Sequence, residues 1–394
     1  MLPQVAVVHP SLNFRGGAER VAIAIIQALK EEGATVSLVT IDRTDWGELN
    51  KYFGIKTQVD REYFIDPSLN LSKLSINPFN AGSLVIKFMW LVRSLKSDIV
   101  VNAYGDLDIL NNLADVVYEG MPYSLAREYR GIMPKIMKKW YTQFAYNIMN
   151  ILVRQVMRKD PVFIANSNFT KDILVKSYRR KSRICVVYPP CNTGEINLSD
   201  KKKDIVLNMS RFSPGKSLEA IPYIARETER WKYVITGSTN EGSDNVVANL
   251  RLKAKELGVA DRLEIYCNTP RQVLLRLMSE AKVYLSTMKN EMFGISIVEA
   301  MSSGCVPIVH RSGGPWKDVL EERQGYCGYS YSGYNEVAGF VRLLSDDQLF
   351  STMSARSRER AQSFGPGVFR ERFIQEFKKV LEAKYHANMK SSTK

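Results

Sequence analysis

The sequence predicts an α/β chain built from two Rossmann-like domains facing across a cleft. Three observations carry that expectation. Short apolar, strand-like runs alternate with stretches of helical periodicity along most of the length, which is the pattern of a parallel sheet covered by helices. One polar, proline-bearing interruption falls near the middle. In both halves, glycine-bearing loops directly follow strand-like runs.

The elements follow in order. A strand at 5–8, a polar loop at 10–17, an apolar-periodic helix at 18–30 and a strand at 35–40 form a βαβ unit. Further strand-like runs stand at 98–102, 115–118, 162–166 and 184–188. Pro189 and Pro190, with the charged stretch 192–203, break the rhythm and mark an interdomain linker. A second series has strands at 205–209, 233–236, 263–267, 283–286 and 306–309, and helices at 217–228, 246–257, 271–281, 295–303 and 315–320. The expected division is 1–190, a first Rossmann-like domain; 204–365, a second Rossmann-like domain; and 366–394, a helix and tail free to pack back on the first. At 394 residues, with 45% hydrophobic and 24% charged positions, the chain can bury more than one ordinary core.

The five cysteines are odd in number, lack a C-x-x-C pair and sit mostly in apolar runs, so they read as buried thiols of a reducing compartment. The three histidines show no cage-like spacing with cysteine or carboxylate, so a structural zinc site is not expected. The first strand starts without a basic lead or a long apolar run, so no signal peptide is expected. No apolar run approaches the roughly 18 residues of a membrane span. The expected location is cytoplasmic, peripheral on a membrane face where one is engaged.

Four segments carry chemistry. In Ser210-Arg211-Phe212-Ser213-Pro214-Gly215-Lys216-Ser217, two cations flank a Pro-Gly turn at a strand's carboxyl end, where a diphosphate would sit; alone, they read equally as solvated surface charges. In the run 291–304, Gly294 permits a tight turn into a helix starting near Ile295, so amides at 293–295 and the positive helix end suit phosphate. Glu291 and Glu299, with seven residues between them, bring two carboxylates to that mouth for the vicinal hydroxyls of a sugar and a ribose. Gly304 reads as the left-handed cap that ends the helix. The third segment is Ser312-Gly313-Gly314-Pro315, and the fourth is Asn13-Phe14-Arg15-Gly16-Gly17, a glycine loop opening a helix. The last lacks the G-x-G-x-x-G of dinucleotide sites, which argues against a nicotinamide enzyme.

Gly16 with Gly17, Arg211 with Lys216, and Glu291 with Glu299 together resemble the retaining family 4 glycosyltransferases of the GT-B fold, over nearly the whole chain. More narrowly, His9-Pro10, the run 186–191 and the run 312–318 resemble the α-1,2-mannosyltransferases that extend lipid-linked oligosaccharide. The resemblance implies that Arg211 and Lys216 clamp the donor diphosphate, Glu291 contacts the donor sugar and Glu299 holds the ribose. It also implies that the backbone at Phe293, Gly294, Ile295, Gly16 and Gly17 approaches phosphate and sugar. GDP-mannose is the implied donor, no metal is needed, and a lipid-linked or polysaccharide glycan is the acceptor. Many relatives carry a histidine after the strand matching 115–118; here either Glu119 replaces it or the role is absent. Asp106 and Asp108 lie far along the chain from the donor motifs and read as a loop signal.

The formal charge of +14 is unevenly spread: residues 127–183 hold fourteen Lys and Arg against three acids. Within it, apolar residues recur at helical spacing over 132–156. Two readings stand, a core helix with solvated lysines or a face resting on an anionic membrane surface, where each cation contributes about 1 kcal/mol. Two alternatives to transfer also stay open: a nucleotide-sugar epimerase or hydrolase on the same fold, and a basic nucleic-acid-binding protein. No nucleic-acid motif supports the latter, so nucleic acid is not an expected partner.

Overall fold

The computed structural model describes residues 3–71, 78–106, 108–122, 160–177, 183–194, 202–239 and 242–392. The chain divides into two compact units, Met1–Pro190 with Gly367–Lys394, and Cys191–Pro366. Among the described residues no helix is long and apolar enough to cross a membrane. The basic stretch 132–156 lies outside the described residues.

The first unit holds a seven-stranded sheet: β1 (Gln4–Val8), β2 (Thr35–Thr40), β3 (Arg61–Phe64), β4 (Ile99–Asn102), β5 (Val116–Glu119), β6 (Val162–Ala165) and β7 (Ile184–Val186), ordered β3-β2-β1-β4-β5-β6-β7. Each pairing is parallel. Strands buried on both faces explain the continuous apolar runs. Val5 and Val7 point into one cluster with helix α1 (Gly17–Glu31), and Ala6 and Val8 into another that includes Phe88 and Met89. Chain order reverses between β1 and β4, which is where open α/β sheets place their ligands, outside the carboxyl ends.

The second unit repeats the design. Strands β8 (Lys203–Met209), β9 (Lys232–Gly237), β10 (Leu263–Cys267), β11 (Ala281–Leu285), β12 (Val306–His310) and β13 (Tyr329–Tyr331) run β10-β9-β8-β11-β12-β13, again parallel throughout. The reversal here lies between β8 and β11. Helices Ser243–Glu256, Arg271–Glu280 and Ile295–Ser302 fall where the periodicity places them.

Some elements differ from expectation. The helix expected at 217–228 is broken into short 3-10 turns, Pro214–Lys216 and Leu218–Ala220, before the helix Ile221–Arg226, because Ser217 adopts a left-handed conformation (φ 51°). The helix expected at 315–320 is one π-type turn, Pro315–Val319. Strands β3 and β13 carry too little apolar alternation to be read in advance. Cys191, Cys305 and Cys327 are buried, but Cys267 is exposed at the end of β10; none forms a disulfide.

The final helix, Pro366–Ser392, sends Phe369, Phe373, Ile374 and Phe377 into the core of the first unit, on the face that α1 covers. Spacing of four residues stacks the three rings, with centroids 5.8 and 6.3 Å apart, and Phe369 meets Tyr118 edge-on at 6.1 Å. Phe373 is fully buried. We expect Phe373→Ala to destabilise the first unit by about 3–5 kcal/mol, read as a lowered denaturation midpoint.

Candidate functional site

At the reversal point of the second sheet, three loops are tied together by side chains. The loop after β8 carries Arg211 and Lys216. Its shape is set by Gly237, the last residue of β9: a Cβ there would lie 1.8 Å from the Ser210 carbonyl oxygen, so only glycine lets the loop cross. The Ser210 amide donates to the Thr236 oxygen (3.0 Å) and the Phe212 amide to the Ser238 oxygen (3.1 Å). Arg211 is exposed, and Lys216 is partly buried at the end of the Pro-Gly turn.

The loop after β11 returns to meet it. Lys216 Nζ donates to Glu291 Oε2 at 2.7 Å and lies 2.9 Å from Met288 Sδ, while Thr287 Oγ1 donates to the Lys216 carbonyl oxygen at 2.6 Å. Glu291 is held in turn by Gly314, whose amide donates to its carbonyl oxygen (2.9 Å). Cβ atoms at Gly313 and Gly314 would lie 2.3 Å from the Glu291 carbonyl oxygen and 2.1 Å from that of Met292, so the two glycines seat one loop against the other. Ser312 Oγ accepts from the Asn290 amide (2.9 Å) and contacts His310 Nδ1 at 2.8 Å.

Gly294, at φ 91°, turns the chain into the helix α9 (Ile295–Ser302), which has no side-chain N-cap. Its first intrahelical amide bond is that of Ile297 to the Gly294 oxygen (3.0 Å). The preceding amides of Ile295 and Ser296 therefore stand at the positive helix end without an i−4 partner. Phe293 is buried against Phe364, centroids 5.3 Å apart, and fixes the approach to the turn. Tyr284 fastens the start of α9 to the Arg211 loop: its hydroxyl donates to the Met209 oxygen (3.0 Å) and contacts Ser296 Oγ (2.8 Å). Burial pushes that phenol up, so it stays a neutral donor.

Glu299 lies on the second turn of α9 and is buried, with Oε2 3.5 Å from Arg271 Nη1. Arg271, Tyr284 and Gly237 did not stand out in the sequence. Gly237 had a signal, a glycine at the carboxyl end of a strand run. Tyr284 sits inside an apolar strand without one. Among the described residues no group of three or more His, Cys, Asp and Glu side chains is arranged to hold a metal ion.

In the first unit, Gly16 precedes α1, and its amide donates to Glu19 Oε2 at 2.6 Å. Gly16 and Gly17 are exposed. Behind them His9 is 1% exposed; the Ser11 amide donates to its Nδ1 (3.2 Å), which leaves the proton of the neutral ring on Nε2, 3.8 Å from Glu19 Oε1. Glu119 ends β5 and is fully buried. A Cβ at Gly105 would lie 2.7 Å from its Oε2, so the carboxylate sits directly against the Gly105 turn. Asp106 accepts from the Met121 amide at 2.7 Å, a loop-fastening contact. Gly16, Gly17 and Glu119 thus belong to the first unit, and Arg211, Lys216, Glu291, Phe293, Gly294, Ile295 and Glu299 to the second.

Residues 15–195 match the model described as Glycosyltransferase Family 4, and residues 193–363 that described as Glycosyl transferases group 1. A protein named GDP-Man:Man(3)GlcNAc(2)-PP-Dol alpha-1,2-mannosyltransferase from Dictyostelium discoideum is 24% identical, over 98% of this chain and 86% of that protein. The protein of that name from Neurospora crassa is 26% identical, over 96% and 80%. With the one from Homo sapiens the match is 27% identical and shorter: 56% of this chain and 49% of that protein. Among solved structures, sucrose-phosphate synthase from Thermosynechococcus elongatus superposes with a TM-score of 0.75 at 15% identity, covering 97% of this chain and all of that one. Anabaena Alr3699/HepE in complex with UDP and glucose gives 0.72 at 16% identity, over 96% of this chain and 100% of that one.

Burial holds the His9 imidazole down to about 3, against an ordinary value near 6.5. Below pH 6.5 the unfolded chain takes up this proton and the folded chain does not. The stability it contributes is thus intact above pH 6.5 and is lost as pH falls from 6.5 toward 3. Between pH 7 and 5, the wild type should lose about 2 kcal/mol more than His9→Gln, as read from hydrogen exchange of β1 and β2 amides.

Proposed function

Because the chain belongs to the family 4 glycosyltransferases of the GT-B fold, we propose that it transfers mannose from GDP-mannose to a lipid-linked oligosaccharide, with retention at the anomeric carbon. One observation carries this reading: a cation pair, two carboxylates and a helix N-terminus are gathered by the loops at the carboxyl ends of β8 and β11. The relatives aligned over most of their length are named for this donor, this linkage and this acceptor.

The chemistry follows from charge. The bond from C1 of mannose to the β-phosphate oxygen breaks and the leaving GDP keeps the electron pair. The acceptor hydroxyl oxygen bonds to C1 on the same face, and its proton passes to the departing phosphate. Negative charge therefore grows on the diphosphate. Arg211, Lys216 and the amides of Ile295 and Ser296 offer fixed positive partners for it, with no reorganisation at the moment of reaction. Glu291, already gripping Lys216, accepts hydrogen bonds from the sugar hydroxyls, and Glu299 accepts from the ribose.

In the first unit, which we assign to the acceptor, Gly16 and Gly17 present exposed backbone to substrate. Glu119 stands at the position of the histidine found in many relatives, and its full burial against Gly105 supports a role in setting that turn and not in touching sugar. The excess of cations at 127–183 supports reversible docking on an anionic leaflet on the cytoplasmic side.

The test is transfer of labelled mannose from GDP-mannose to a dolichyl-diphosphate pentasaccharide, with the new linkage opened by an α-1,2-mannosidase. No transfer, together with no thermal stabilisation by any GDP- or UDP-sugar, would overturn the reading. Lys216→Ala and Arg211→Ala should each lower kcat about 10²–10³-fold, and the change at the exposed Arg211 should do so with the melting transition unchanged. Since protein cations can balance the leaving charge, transfer should persist in excess EDTA; its abolition and rescue by a divalent ion would show that the clamp is incomplete without metal.

A further inference from the structure

Arg271 is the first residue of the helix Arg271–Glu280, following Thr269 and Pro270 at the end of β10. A cation there opposes the positive end of the helix dipole, and the first turn carries no acid and no side-chain N-cap. A local rule broken without local benefit points to a role elsewhere. Its partner lies on another element, 28 positions along the chain: Nη1 is 3.5 Å from Oε2 of Glu299. The Glu299 side chain is 8% exposed and that of Arg271 28%, so the carboxylate is nearly enclosed while the guanidinium spans from it toward solvent. A nearly enclosed carboxylate gives up hydration, a loss that a neighbouring cation offsets.

We propose that Arg271 is the positioning residue that holds the Glu299 carboxylate aimed at the nucleotide's ribose diol, and so sets the preference for ribose over deoxyribose donors. The inference rests on the role given to Glu299 above. An arginine suits the task because its guanidinium keeps its charge and is less strongly hydrated than an ammonium, so it can stand against a nearly enclosed carboxylate while still reaching solvent. The neighbouring tie of Tyr284 to Ser296 holds the start of α9, and Arg271 adds a contact to Glu299 from a separate helix.

The test is calorimetric binding of GDP, 2′-deoxy-GDP, 3′-deoxy-GDP and inorganic pyrophosphate to the full chain. For the wild type, GDP should bind at least about tenfold more tightly than one of the deoxy analogues, the loss expected for one hydrogen bond to a charged group. Arg271→Gln should compress that ratio to within about twofold while pyrophosphate affinity stays unchanged, and Arg271→Lys should recover part of it. A ratio left intact in Arg271→Gln would overturn the proposal while leaving the donor site standing. A wild type that binds no GDP at all would instead remove the reading on which it rests. Should Arg271→Gln fail to fold, Arg271→Lys decides: a folded lysine variant with an undiminished ribose preference and unchanged pyrophosphate binding would also overturn it.

Discussion

The second unit is organised around a single ion pair, the 2.7 Å contact between Lys216 and Glu291. Both side chains are about four-fifths removed from solvent, at 20% and 22% exposure, so each has lost much of its hydration. Pairs of this kind return little net stability, because desolvation offsets most of the attraction. Their effect is geometric. Lys216 sits on a loop that leaves β8 and Glu291 on a loop that leaves β11, neighbouring strands at the one place where the chain order reverses. With the two groups locked together, a cation and an acid face the same space before any ligand arrives.

Much else in the unit exists to let that contact form. Gly237 admits the Ser210 carbonyl where any side chain would block it, and Gly313 and Gly314 admit the backbone of Glu291 and Met292 in the same way. Thr287 clamps the Lys216 carbonyl from the β11 side, and Tyr284 bridges Met209 and Ser296 below. Arg271 extends the same logic one strand further, from β10 to Glu299. The architecture is a parallel sheet, but the working parts are loops fastened crosswise to one another.

The fold was legible in the sequence because parallel strands buried on both faces leave dense apolar runs, and because one linker separated two such series. The candidate site was legible where the pattern uses residue types with few other reasons to be there: Gly294 before an apolar helix, and two glutamates eight positions apart on its flank. What escaped had a physical cause in each case. Ser217 ends the expected helix at its first residue through a backbone conformation that serine composition does not announce. Tyr284 reads as an ordinary strand aromatic until its hydroxyl is seen to cap two other segments. Arg271 reads as a surface cation, since the acid that explains it is distant in sequence. Glu119 was visible as a polar end to a strand, but its burial against Gly105 depended on a second loop.

The strained backbone follows the same distribution. Of the six described non-glycine residues with positive φ, Arg15 adjoins the glycine loop of the first unit, Ser217 and Asn290 bracket the Lys216–Glu291 pair, and Asn268 opens the loop to Arg271. The other two, Glu321 and Glu322, follow the turn that begins at Pro315. Asparagine tolerates this conformation well, serine and arginine less so, at a cost on the order of 1 kcal/mol each. Regular strands and helices absorb none of it. The cost is confined to loops, so the sheet stays relaxed. A rigid frame carrying tightened loops is what an electrostatic catalyst requires, since fixed dipoles stabilise a developing charge only while they are prevented from turning to meet one another.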